Sequence, residues 1–135
     1  MWGMDANSPW VDHPDPDQIE CCFAWLGSRR FERRLLGPEA THGLGDVLRT
    51  WLEGRPEEMA RIREERPEGP LAISHRSGKT RQHPGNPRRY DHIYATRTDF
   101  RVDHVEYLYD QACAAGSDHA VVIADLRCNV EGHPD

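Results

Sequence analysis

Three short segments of the sequence carry polar side chains in patterns that could do chemistry. The first is Gly3-Met4-Asp5-Ala6-Asn7, in which Asp5 and Asn7 stand two residues apart. Side chains with this spacing share one face of a strand, so the carboxylate and the amide would point the same way. A carboxylate can orient water or a metal ion, and an amide can donate a hydrogen bond. Taken alone, the pattern is more typical of an ordinary turn.

The second and third segments contribute a carboxylate and a histidine. Asp91 interrupts the strand-like run 88–94, where a carboxylate is costly unless it is paired. For that run alone, a strand-edge Asp facing water is the simpler interpretation. His119 follows Ser117-Asp118 and precedes an apolar run that starts at Ala120. Histidine suits proton transfer at neutral pH, although a lone His at a strand start more often only caps or packs.

The elements that must position these segments follow from hydrophobic periodicity. Residues 1–7 read as the end of a strand that runs into a loop. Residues 43–65 are predicted to form two helices separated at Gly54-Arg55-Pro56, because apolar residues recur there every three or four positions. A shorter helix, apolar and then basic, is predicted within 19–36. Strands are predicted at 71–74, 89–95, 100–108 and 119–126, and loops at 77–87 and 112–116. This order predicts a mixed α/β or α+β layered fold.

Composition limits the class of protein. The chain of 135 residues suits one small domain or part of a larger one. Its net charge of −6 argues mildly against a dedicated nucleic-acid surface, which is usually basic, but it is compatible with clustered carboxylates around a metal ion. No stretch has the apolar length of a membrane span, and the start lacks the pattern of a signal peptide, so we expect a cytoplasmic protein. The 4 cysteines show no zinc-finger or CxxC spacing and are expected to be reduced thiols.

Taken together and in this order, the three segments resemble the carboxyl-terminal half of the endonuclease/exonuclease/phosphatase family. The family's Gly-Asp-Phe-Asn is similar to the first segment, which has one extra residue after Gly3. Its Arg-Ile-Asp-Tyr-Ile is similar to Arg89-Tyr90-Asp91-His92-Ile93. Its Ser-Asp-His is present unchanged at 117–119, and the stretch 87–126 carries most of the likeness.

The resemblance implies an α/β fold, part of the two-sheet α/β sandwich of DNase-I-like proteins with helices on the outside. It also implies hydrolysis of a phosphodiester or phosphomonoester that depends on Mg²⁺ or Mn²⁺, since a divalent cation offsets the charge of the phosphate. By motif, Asp5 helps to activate the attacking water and Asn7 holds the scissile phosphate. His119 contacts the phosphate and handles protons, Asp91 orients His119, and Asp118 lies near the metal.

Two arginines next to the second motif complete the expected phosphate-binding set with Asn7. Arg88 and Arg89 belong to a basic region that also contains Arg76, Lys79 and Arg81. A solvated basic loop explains the same pattern at least as well.

The chain also departs from the family pattern. The family's metal-binding Glu and an early Asn come from an amino-terminal half, so residues 1–135 are expected to form a single incomplete domain. The missing half would be a partner chain, an upstream segment left out of a truncated sequence, or genuinely lost. The segment 41–70 is longer and more helical than the corresponding family loop. A non-catalytic remnant or binding module of the same fold therefore stays open, as does an unrelated α+β domain, in which the motif residues would not converge. The substrate cannot be read from the sequence, and the charge does not support a nucleic acid.

Overall fold

A computed structural model describes residues 1–20, 34–36 and 40–129 of the chain. The helix predicted within 19–36 lies largely outside the described residues, as does the tail from 130 onward. In the described part, no helix is long and apolar enough to cross a lipid bilayer.

The described residues form a mixed α/β fold with three small antiparallel sheets. The strands are β1 (Trp2–Asp5), β2 (Leu44–Asp46), β3 (His75–Ser77), β4 (Asn86–Arg88), β5 (Asp91–Thr96), β6 (Phe100–Leu108) and β7 (Val121–Cys128). The helices are α1 (Val47–Glu53), α2 (Pro56–Glu65) and α3 (Tyr109–Ala114), and a short 3₁₀ helix spans Pro16–Gln18.

The largest sheet has the strand order β1-β5-β2, with β5 in the centre. Its register pairs Asp5 at the end of β1 with Asp91 at the start of β5. Strands β3 and β4 form one two-stranded sheet, and β6 and β7 form the other. The register of the largest sheet therefore brings the first two sequence motifs side by side.

The hydrophobic core lies between the helices and the strands β5 and β6. Val47, Leu48 and Leu52 of α1 are buried in it together with Ile62 of α2 and Val105 of β6. The spacing of these helical residues puts them on one face, as predicted, and the break between α1 and α2 falls at 54–55. The predicted start of the first helix, at residue 43, was wrong. Leu44–Asp46 forms β2, which pairs with β5, and the helix begins only at Val47.

Three other sequence predictions need correction. Residues 71–74 do not form a strand; the strand is β3, immediately after them. The loop predicted at 77–87 ends too late, because its last two residues already belong to β4, which pairs with β3. The small residues predicted as a loop at 112–116 continue α3 as far as Ala114, because Ala112 is buried on the inner side of that helix.

The last apolar run forms β7, which starts two residues later than predicted and alternates in burial. Val121 and Ile123 are 53% and 40% exposed. Among the described strands, β7 pairs only with β6, so one of its faces is not covered by the described residues.

Candidate functional site

Asp5 and Asp91 meet where β1 ends and β5 begins. They are directly opposite in the antiparallel register, so their side chains lie on the same face of the sheet. The Asp5 side chain is 42% exposed and the Asp91 side chain 18% exposed, so the pair lies at the surface of the protein. Two carboxylates this close attract a cation or a proton donor.

His119 is the third member of this group. Its Nδ1 lies 2.8 Å from Oδ2 of Asp91, and its Nε2 lies 4.0 Å from Oδ2 of Asp5. Because the Asp91 carboxylate only accepts hydrogen bonds, the Nδ1 of His119 must carry a proton. The ring is therefore held by Asp91, with its other nitrogen directed toward Asp5.

A turn and a buried serine fix the position of His119. Ser117 Oγ accepts a 3.1 Å hydrogen bond from the backbone N–H of His119. The next residue, Ala120, donates its backbone N–H to the carbonyl of Ser74 at 2.7 Å. Ser74 is fully buried, and its Oγ also accepts the backbone N–H groups of Tyr90 and Asp91, at 2.8 Å and 3.1 Å. One serine thus ties the strand that carries Asp91 to the segment that carries His119.

The surroundings of His119 raise its pKa above the ordinary 6.5. Burial is the largest influence and would lower the pKa, but the hydrogen bond to Asp91 and the negative charges of Asp91, Asp5 and Asp118 together outweigh it. The protonated imidazolium form of His119 therefore persists to a higher pH than in an unperturbed histidine. In this form both ring nitrogens donate, and the one that faces Asp5 can donate to a phosphate oxygen.

Asn7 lies next to Asp5 in a left-handed backbone conformation, with φ of 48°. Its backbone N–H donates to Oδ1 of Asp5 at 3.0 Å, and its side-chain amide lies 3.4 Å from Oδ2 of Asp5. Asn tolerates this conformation better than most residues. The turn keeps the exposed amide beside Asp5, at the edge of the group formed with His119.

Asp118 lies on the other side of His119, close to His75. Its side chain is exposed, and its backbone carbonyl lies 3.0 Å from Nδ1 of His75. The His75 ring packs against the rings of His119 and Tyr90, with centroids 4.7 Å and 5.5 Å away. The metal-binding role of Asp118 stays a prediction.

The donor atoms of the site fit a divalent cation. Asp5, Asp91 and His119 each offer one ligand atom within 4.8 Å of the others, and the same holds for His75, Asp118 and His119. Carboxylate oxygens are what Mg²⁺ and Mn²⁺ prefer, and Mg²⁺ needs only one or two of them beside substrate phosphates. Asp5 and Asp91 are therefore the residues that would hold such an ion.

The side chains of the two arginines predicted to bind phosphate contact other residues of the protein. Arg89 is 0% exposed. Its guanidinium donates hydrogen bonds to Asp12, Asp46 and Tyr107. A fully buried and fully partnered cation has no access to a substrate, so Arg89 does not belong to the candidate site. Arg88 donates to Ser77 Oγ at 3.1 Å, and its guanidinium lies 4.0 Å from the centroid of the Trp10 ring.

Arg89 instead forms the centre of a buried ionic network. It donates two hydrogen bonds to Asp46, of 2.7 Å and 2.6 Å, and one of 3.0 Å to Asp12, which also pairs with Arg49. Burial is the largest influence on both carboxylates and would raise their pKa values. The positive charge of Arg89 reverses this effect and, with the other cations nearby, lowers both pKa values below the usual 3.8. His92 completes the network, with its Nδ1 3.2 Å from Asp46 and its Nε2 3.0 Å from the carbonyl of Ser8.

Tyr107 connects this network to the candidate site. Its hydroxyl accepts a 2.9 Å hydrogen bond from Nε of Arg89 and donates a 2.8 Å bond to the backbone carbonyl of Asp91. The backbone of Asp91 is therefore held at its N–H by Ser74 and at its carbonyl by Tyr107. The sequence did not point to Ser74, Tyr107 or His75 as part of the site, because each of them acts through a contact with a residue far away in the chain.

Comparison of the chain with models of protein families, with curated proteins and with solved structures gives no match. The geometry and chemistry of the site are therefore the basis of the functional proposal.

Proposed function

We propose that the protein hydrolyses a phosphate ester, a phosphodiester or a phosphomonoester, with the help of a divalent cation. The observation that carries the proposal is the group formed by Asp5, Asp91 and His119, in which one carboxylate orients the imidazole and the other faces its free nitrogen. These are the residues that the resemblance to the endonuclease/exonuclease/phosphatase family singles out. The carboxyl-terminal half of the DNase-I-like sandwich is the fold that we propose to accompany them.

The proposed reaction is an in-line attack of water on phosphorus. Asp5 accepts a proton from the water as the new P–O bond forms, and the His119 imidazolium donates the proton of its Nε2 to the leaving oxygen as the old bond breaks. Asp91 keeps the His119 ring oriented and its charged form stable. Asn7 donates its amide to a phosphate oxygen. A Mg²⁺ or Mn²⁺ ion held by Asp5 and Asp91 would offset the negative charge of the phosphate.

A groove beside the site supports an anionic substrate. It has a volume of about 380 Å³ and is lined by His75, Arg76, Lys79, Tyr109 and Asp118, among other residues. Arg76 and Lys79 bring positive charge close to Asp118 in an otherwise acidic chain. A phosphate ester whose leaving group extends into this groove would meet both cations.

The test is turnover of the purified chain on bis(p-nitrophenyl) phosphate and p-nitrophenyl phosphate, with Mg²⁺, with Mn²⁺ and with a chelator. We expect cation-dependent release of nitrophenol that falls about 100-fold or more in H119Q, since an acid/base group contributes that much to a rate. H104Q is the matched control, because His104 lies on β6 with its side chain 49% exposed and no part in the site. Turnover that is equal with cation and with chelator, or that is unchanged in H119Q, would count against the proposal. No turnover at all would favour the non-catalytic alternative.

A further inference from the structure

His75 is placed against the site by the backbone as well as by its ring. His75 and His119 form an antiparallel backbone bridge, and their ring centroids lie 4.7 Å apart. This bridge joins β3 to the start of the segment that leads into β7. Two imidazoles therefore share one surface, and the proposed hydrolysis uses only that of His119.

The hydrogen bonds of both rings favour metal binding. The Nδ1 of His75 lies 3.0 Å from the carbonyl oxygen of Asp118, which can only accept, so this nitrogen carries a proton. The Nδ1 of His119 is held in the same way by the carboxylate of Asp91. In a neutral ring, each arrangement leaves a lone pair on Nε2. Histidine ligands of metals usually donate their other ring N–H to a carbonyl or a carboxylate, which fixes the ring as seen here.

The donor set favours Zn²⁺ over Mg²⁺. A nitrogen of each ring and a carboxylate oxygen of Asp118 lie within 4.8 Å of one another. Two imidazoles and one carboxylate suit Zn²⁺, which binds three such ligands and keeps a fourth position for water. Mg²⁺ prefers oxygen ligands and would not use the second imidazole. Asp118 is exposed and both histidines are half-buried, so an ion can enter from solvent.

We propose that His75, Asp118 and His119 form a Zn²⁺ site, and that Zn²⁺ bound there stops phosphate-ester hydrolysis. The second part rests on the proposed function. With Nδ1 held by Asp91, His119 has one nitrogen left, and a metal ligand cannot also carry the proton that the leaving oxygen needs. Zn²⁺ at this site and hydrolysis thus exclude each other, whereas Mg²⁺ at the carboxylates leaves the nitrogen free.

The first test is Zn²⁺ binding by the full chain, freed of metal and titrated in a calorimeter. We expect about one equivalent of Zn²⁺ to bind, with an affinity at least about tenfold lower in H75Q and in D118N, since loss of even a supporting contact costs that much. H104Q should bind as the unaltered protein does. Circular dichroism checks that each variant is folded. Equal affinity for Zn²⁺ in all four proteins, or no Zn²⁺ binding by the unaltered protein, would contradict the proposed Zn²⁺ site.

The second test excludes cysteine ligands and separates the two proposals. Cys113 and Cys128 are free thiols, so the Co²⁺-loaded protein should be examined for thiolate-to-metal absorption. Its absence supports nitrogen and oxygen ligands, and its presence would contradict the site. Zn²⁺ should also inhibit Mg²⁺-dependent turnover, with a weaker effect in H75Q than in H104Q. Turnover that Zn²⁺ leaves unchanged would contradict the proposal that bound Zn²⁺ stops hydrolysis. A lack of turnover in every sample would contradict the proposed function, and the Zn²⁺ site would then be tested by the binding data alone.

Discussion

Replacing Arg89 by methionine should remove a large part of the stability of the fold. Arg89 makes two hydrogen bonds to Asp46, one to Asp12 and one to Tyr107, with no exposed surface. Removing one partner of a buried ion pair typically costs about 3–5 kcal/mol, because the other charge is left buried and unpaired. Asp12 keeps its pair with Arg49 and Asp46 keeps its contact with His92, so the loss should stay within this range.

The assay is urea unfolding of the purified protein, followed by tryptophan fluorescence and circular dichroism. A loss of about 3–5 kcal/mol is a large share of the 5–15 kcal/mol typical of a domain, and it corresponds to a fall in melting temperature of about 10–20 °C. R97M is the matched control, because Arg97 pairs with Glu53 at the surface and is 54% exposed. Such a pair is worth less than about 1 kcal/mol.

The loss of stability in R89M should also depend on pH. In the unaltered protein the pKa of Asp46 is lowered, so its contribution is fully present above the usual 3.8 and is lost as pH falls below it. In R89M the lowering influence of the Arg89 charge is lost, so burial should raise the pKa of Asp46 relative to that in the unaltered protein. The folded variant then binds a proton more readily than the folded unaltered protein, so the difference in the free energy of unfolding between the two should narrow as pH falls. A loss below about 1 kcal/mol in R89M, or a gap that widens as pH falls, would refute this account of the network.

Three further substitutions probe the groups that support the site. S74A should lower the free energy of unfolding by about 1–3 kcal/mol, because the buried N–H of Tyr90 and the partly buried N–H of Asp91 lose their acceptor; stability equal to the unaltered protein would contradict this. Y107F should cost a similar amount, because Arg89 and the carbonyl of Asp91 each lose a partner, and an unchanged unfolding curve would contradict the link. D91N should lower the pKa of His119 in an NMR titration, since its main raising influences are removed. The raised pKa stabilises the fold below pH 6.5, and this contribution is lost as pH rises through the folded value, so D91N should flatten the pH dependence of stability there.

The helices and most strands could be predicted because their signals are local. The apolar spacing of Val47, Leu48 and Leu52 marks one helix face whatever the rest of the chain does. Phe100–Leu108 was predicted with the bounds that the structure has. β2 was missed because its three residues are a strand only by virtue of pairing with β5, which lies far along the chain.

Asp5, Asn7, Asp91 and His119 were selected from short motifs, and they lie together in the structure. Their catalytic roles stay predictions. Arg89 was misassigned because its acidic partners lie 77 and 43 residues away in the sequence. An arginine in a basic segment gives no local sign that it will be buried. The contact between His75 and Asp118 spans 43 residues and depends on a single backbone bridge, so no spacing rule could have found it.

The dependence of kcat/KM on pH in the unaltered protein and in D91N tests the role of His119 most directly. If the His119 imidazolium donates the proton to the leaving oxygen, the rate falls at high pH with an apparent pKa that matches the value of His119 from NMR. In D91N this fall of kcat/KM should occur at lower pH, by the same amount as the pKa of His119 measured by NMR. A fall that stays at the same pH in D91N, or that differs from the His119 titration, would contradict the proposed chemistry.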